Sequence, residues 1–201
     1  MRARLALAVS GQKVHLREVE LKNRPEELVA VSAKATVPVL VLPCERVIEE
    51  SLEIMHWTLE NADPQQWLGA SETQSRAIDE IIQACDGDFK HHLDRYKYAN
   101  RYEDVDSEEH REKASQFLNQ LQDRLREQAF LFGDRACLAD MAVAPFVRQF
   151  AFADRTWFDA QPWKHLIAWL DAFTASTLFL SIMQKHKPWT PNAEPLCITW
   201  E

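Results

Sequence analysis

The feature that most constrains this chain is a change of pattern near residue 61. Before it, short strand-like and helix-like runs alternate. After it, every recurring apolar spacing is helical. Leu5-Ala6-Leu7-Ala8-Val9 is a short helical run stopped at Gly11. Val14 and Leu16 alternate with polar residues, and Val19 and Leu21 continue in the opposite phase, which predicts a strand with a slip near Arg17-Glu18. Pro25-Glu26-Glu27-Leu28 opens a short helix, with acids near the positive end of its dipole. The apolar run Val37–Leu42 predicts a strand buried on both faces, and Arg46-Val47-Ile48 a short partner strand. A helix follows over Glu50–Glu60, with Leu52, Met55 and Leu59 on one face.

Asp63-Pro64 marks residues 62–69 as a linker. Beyond it, Ile78, Ile81, Ile82, Cys85, Phe89, Leu93 and Tyr96 follow one helical stripe, and Ala114, Phe117, Leu118, Leu121 and Leu125 another. Met141–Phe152 is apolar on nearly all sides, which predicts a buried central helix. Trp163, Leu166, Ile167, Leu170 and Phe173 form a stripe entered through Pro162, and a last short helix begins near Thr177. The tail from Lys187 has three prolines and no period, and is expected to wrap the surface. The fold class is therefore α/β plus all-α: an α/β unit at 1–61, an all-helical domain at 70–187 and a tail at 188–201.

Composition narrows the function classes. A chain of 201 residues with 46% hydrophobic and 27% charged residues has ordinary globular content. Its net charge of −8, with no Lys/Arg run, argues against nucleic-acid or anionic-membrane partners. Cys44, Cys85, Cys137 and Cys197 have neither C-x-x-C nor zinc-finger spacing, which predicts reduced thiols, a cytoplasmic setting and no metal. No apolar run is long enough to span a bilayer. Ser10-Gly11-Gln12-Lys13 cuts short the run after Arg2 and Arg4, against a signal peptide.

Four segments carry a resemblance to the glutathione S-transferase superfamily. Thr36-Val37-Pro38-Val39-Leu40 followed by Glu50-Ser51 resembles its glutathione site. Leu21-Lys22-Asn23-Arg24-Pro25-Glu26 looks like the matching stretch of the omega class. Gly133-Asp134 with Cys137-Leu138-Ala139-Asp140 resembles the helix-capping segment of the helical domain, and Arg2-Ala3-Arg4-Leu5-Ala6-Leu7 the first helix. The resemblance implies a thioredoxin-like first domain, with glutathione as co-substrate and no resident metal. The implied partners are a small hydrophobic or thiol/disulfide acceptor and a second copy in a homodimer.

The resemblance also assigns residues. The proline matching Pro38 is cis in the family, and leaves the backbone of Val37 facing outward, where a tripeptide can pair with it as an added strand. Ser51 at a helix N-terminus can hold the γ-glutamyl carboxylate, and Glu50 can meet its ammonium. Arg24 matches a family lysine that meets the glycyl carboxylate; an ordinary solvated arginine is the equal alternative. Phe89, His92 and Tyr96 lie on the helix that lines the acceptor pocket in the family. Adjacent His91 and His92 point about 100° apart on a helix and read as a solvated face rather than a chelate. Cys137 and Asp140 read as a helix cap, with cysteine a weak acceptor in place of the usual Ser or Thr; a reactive thiol at a helix N-terminus is the alternative for Cys137.

The same resemblance exposes a gap. In omega-like members the catalytic cysteine lies four positions before the residue matching Met1, at the end of a strand that runs between those matching Val14–Leu21 and Val37–Leu42. This chain is therefore expected to have a truncated thioredoxin-like domain without first strand or catalytic residue, either through its start position or by nature. The implied function is glutathione-dependent conjugation or thiol transfer. The alternatives are a non-catalytic glutathione-binding or interaction module, and a helical structural domain with a vestigial first domain.

Overall fold

The computed structural model describes residues 1–200. In chain order the first elements are α1 (Arg2–Val9), β1 (Val14–Leu16), α2 (Glu26–Val31), β2 (Leu40–Val41), β3 (Val47–Ile48) and α3 (Ser51–Asn61). Then come α4 (Glu72–Ala84), a π-helical segment Cys85–Phe89, α5 (Lys90–Lys97), α6 (Ser107–Glu127), α7 (Leu138–Ala151), α8 (Arg155–Asp159), α9 (Lys164–Ala175), α10 (Thr177–Ile182) and β4 (Leu196–Ile198). The expected order of the first sixty residues is present, and a small sheet with helices is followed by helices, as in the glutathione transferase fold. The chain divides into two units: residues 1–65 together with those from Thr177 on, and residues 66–176.

In the first unit α1 packs against α3 and α10. Leu5 and Ala6 of α1 and Met55 of α3 are fully buried, as the helical spacing requires. Gly11 adopts φ +66°, a left-handed conformation that lets the chain leave α1 without a Cβ penalty. A small core joins Ala3, Ile48 and Ile54, with Leu40, Leu42 and Trp57 against it. β2 and β3 form an antiparallel pair with Leu40 opposite Ile48 and Val41 opposite Val47.

Two expectations change here. The run Val37–Leu42 is not a strand buried on both faces: only Leu40–Val41 pairs, and Val37 and Val41 are exposed. The reason is that β2 has one neighbour, β3, and among the described residues no strand covers its other edge. The tail, expected to wrap the surface, instead supplies β4, which pairs antiparallel with β1: Val14 with Ile198, His15 with Cys197, Leu16 with Leu196. The Trp189 N–H donates to the Glu18 carbonyl at 2.8 Å, and the Arg17 guanidinium sits 4.8 Å from the Trp189 ring centre. By their contacts α10 and the tail group with residues 1–65.

The second unit is built around α7, which is buried along most of its length and packs against α4, α5 and α9. The long stripe from Ile78 to Tyr96 is not one helix. It is interrupted at Gly87, whose φ −84°, ψ −107° departs from helical values. Buried Gln122 of α6 accepts the N–H groups of His165 and Leu166, each at 3.0 Å, and so caps the start of α9 from a neighbouring helix. Among the described residues no helix is long and apolar enough to cross a membrane.

Candidate functional site

Four of the five expected glutathione residues, Val37, Pro38, Glu50 and Ser51, lie on the segments that flank β2 and β3. Leu40 pairs with Ile48 and Val41 with Val47, so the segment bearing Val37-Pro38 enters this antiparallel pair at the same end at which Glu50-Ser51 leaves it. The Val37–Pro38 peptide is cis, as the resemblance implied. Val37 is exposed, at 45% of its surface. Ser51 is half-buried and is the first residue of α3, with Glu50 at the N-cap in extended conformation. The Glu50 side chain does not cap α3, so the first-turn N–H groups of that helix keep no intrahelical acceptor. Such a terminus is suited to an anion.

Lys34 was not among the candidates. Its Nζ lies 2.8 Å from Glu50 Oε1, and this ion pair holds its ammonium above the ordinary lysine range. Ser32 Oγ donates to Glu49 Oε1 at 2.5 Å, fixing the acid next to Glu50. No sequence signal joins residues 16 and 17 positions apart; only the fold of the 32–50 loop and hairpin brings them together. Arg24 is exposed and follows the tight turn in which Asn23 N–H donates to the Glu20 carbonyl at 2.9 Å.

The second unit contains a cavity of about 390 Å³. Phe89 and His92 line it, together with Asp88, Lys113, Gln116 and Phe117. Tyr96 does not join them. It packs on Phe150 at 5.0 Å between ring centres, in an aromatic cluster that continues through Trp157, Phe158 and Trp163. Burial there pushes the Tyr96 hydroxyl above its ordinary range, so it stays protonated at neutral pH. Burial and neighbouring His110 hold His92 below the usual imidazole range.

Cys137 and Asp140 form a complete capping box at the start of α7. Asp140 does more than a cap. One oxygen accepts the Cys137 N–H at 2.9 Å, and the other accepts the Leu131 N–H at 3.0 Å and the Trp169 indole N–H at 2.9 Å. Burial raises its pKa, against the pull of these donors. Burial and the Asp140 charge push the Cys137 thiol up to about 12, so it remains a thiol. The reading of Cys137 as a reactive thiolate therefore fails.

The chain thus joins an α/β unit to a helical unit whose central helix begins with a buried capping box. Residues 1–67 match the glutathione S-transferase N-terminal domain, and residues 76–172 match the glutathione S-transferase C-terminal domain. The chain belongs to the glutathione S-transferase superfamily.

Solved structures share the fold at low sequence identity. A glutathione S-transferase domain-containing protein from Marinobacter aquaeolei is 24% identical, with a TM-score of 0.74, covering 89% of this chain and 93% of its own. A glutathione S-transferase from Rhodospirillum rubrum is 20% identical, with a TM-score of 0.72, covering 97% and 90%. A glutathione transferase family member from Pseudomonas fluorescens, solved with two glutathione molecules bound, is 16% identical, with a TM-score of 0.76, covering 90% and 86%. No curated protein matches the sequence.

Proposed function

We propose that this chain binds glutathione through Val37, Pro38, Glu50 and Ser51, with Arg24 contributing a cation, and serves glutathione-dependent conjugation or thiol transfer. The observation that supports this reading is that the segments bearing Val37-Pro38 and Glu50-Ser51 flank the β2–β3 pair at the same end. A γ-glutamyl peptide laid along the exposed Val37 backbone gains strand-like hydrogen bonds, and its carboxylate meets the N–H groups at the start of α3. Glu50 supplies the counter-charge for the peptide's ammonium, which would then replace or share Lys34. The acceptor is a small hydrophobic or thiol/disulfide compound, with Phe89 and His92 on the wall of its pocket. The protein works as a cytoplasmic homodimer of the omega-like type.

One observation favours a second reading, a glutathione-binding module without turnover. Among the four cysteines, Cys85 and Cys137 are buried, and the Cys137 thiol is pushed up to about 12. Cys44 and Cys197 are exposed, but neither is placed by the resemblance at the reacting thiol. Calorimetry of glutathione with the wild type and Ser51→Ala tests the shared site. The substitution should weaken binding by about 1–2 kcal/mol, the scale of a hydrogen bond to a charged group. Equal affinities would remove Ser51 from the site. Turnover of an electrophile or a mixed disulfide then separates the readings: binding with turnover supports the enzyme, and binding without it supports the module.

A further inference from the structure

We propose that His91, His92 and His110 form a binding site for a divalent transition-metal ion of the zinc type. His91 and His92 are adjacent on α5, and His110 lies in the first turn of α6, the helix against which α5 packs. One ring nitrogen from each of the three lies within 4.8 Å of the others. The His92 and His110 Nδ1 atoms are 2.7 Å apart, and the His91 and His92 rings meet edge to face with centres 5.0 Å apart. Two adjacent histidines on one helix point about 100° apart and do not chelate an ion by themselves. The third ligand comes from the next helix, and side-chain rotation closes the angle between the first two.

The spacing suits a metal. Imidazole nitrogens about 2.0–2.1 Å from a tetrahedral zinc ion lie roughly 3.4 Å from one another. The observed separations, from 2.7 Å up to 4.8 Å, bracket that value, so modest ring rotations assemble the site. The lone pairs are available. Two Nδ1 atoms facing each other at 2.7 Å can share only one hydrogen, so one of the two rings already presents a lone pair there. His91 Nδ1 lies 3.1 Å from Arg95 Nη1, and a guanidinium only donates, so His91 Nδ1 is an acceptor as well. A metal would displace Arg95 from that lone pair or take the other nitrogen.

The surroundings add a carboxylate and a cavity. Asp88 lies one turn before His92, and both line the 390 Å³ cavity of the second unit. An ion held by His92 therefore sits at the rim of that cavity, with three protein ligands. This is the number that leaves a coordination position for water or another ligand in open zinc sites. The cluster lies wholly in the second unit and does not depend on the glutathione reading.

Calorimetric titration of untagged protein with Zn²⁺ tests the site, with the visible absorption of bound Co²⁺ as a second readout of ligand geometry. The expected result is one ion per chain and a Co²⁺ spectrum of imidazole-type, low-coordinate character. His110→Ala and His92→Ala should each weaken binding by at least about tenfold, since loss of a ligand costs no less than loss of a group that supports one. Circular dichroism checks that each variant folds. If His110→Ala does not, His110→Gln, which keeps a polar side chain without an imidazole, takes its place. Joint Cys44→Ser and Cys197→Ser substitution should leave uptake unchanged. Absence of stoichiometric uptake, uptake indifferent to both histidine substitutions, or uptake lost with the two cysteines would each overturn the proposal.

Discussion

Replacing Asp140 with alanine removes the acceptor for three N–H donors at once. A helix cap alone is worth about 1 kcal/mol. Here the same carboxylate also holds the backbone of Leu131 and the indole of Trp169, and Asp140 is 1% exposed, so water does not readily take its place. Each buried donor left without a partner costs about 1–3 kcal/mol. Relief of the carboxylate's own burial and local relaxation offset part of the sum, which leaves about 3–5 kcal/mol for Asp140→Ala. Asp140→Asn should cost less, because its amide oxygen can keep Leu131 and Trp169 while its NH₂ faces the Cys137 N–H. Urea unfolding at pH 7, read as a shift in midpoint with unchanged slope, measures both. A loss under about 1.5 kcal/mol for Asp140→Ala, or a larger loss for Asp140→Asn than for Asp140→Ala, would refute the three-donor account.

The Cys137 thiol has a folded pKa of about 12 against an ordinary 9.0, so the folded state binds its proton more tightly than the unfolded state. Its stabilising contribution is complete below pH 9 and is lost as pH rises from 9 towards 12. The wild type should therefore lose about 1.4 kcal/mol relative to Cys137→Ser between pH 8 and 10, and an unchanged gap in paired urea melts would contradict the burial of the thiol. Trp200 lies just past β4 and is 7% exposed. Its truncation to alanine should cost about 2 kcal/mol in a thermal or urea melt, below the usual tryptophan cost because its indole N–H finds no partner among the described residues; a neutral result would mean the tail is not docked.

The parts of the fold legible in the sequence are those with local signals. The strand return at Val47–Ile48, a helix beginning at Glu50-Ser51 and the buried length of α7 all follow from apolar spacing. The cis Val37–Pro38 bond came from the resemblance and not from any periodicity. Three things were illegible for physical reasons. β4 is three residues long, too short for an alternation to register, and its partner β1 lies at the other end of the chain. The break at Gly87 leaves the apolar stripe in phase, so a period-based reading runs straight through it. The neighbours that give the sites their chemistry are remote in sequence: Lys34 for Glu50, Trp169 for Asp140 and His110 for His92. The double burial expected of Val37–Leu42 failed because hydrophobic content describes what a strand can tolerate, while the number of neighbouring strands decides what it receives.

The proposed glutathione site can be read directly from amide chemical shifts of the ¹⁵N-labelled protein during a glutathione titration. Saturable shifts are expected at Val37, Glu50 and Ser51, on the segments that flank the β2–β3 pair at one end. Their dependence on concentration should give one common dissociation constant, and Ser51→Ala should raise that constant by roughly tenfold. Amides of Val37, Glu50 and Ser51 that stay fixed while glutathione reaches saturation elsewhere, or that stay fixed at every concentration, would contradict the account.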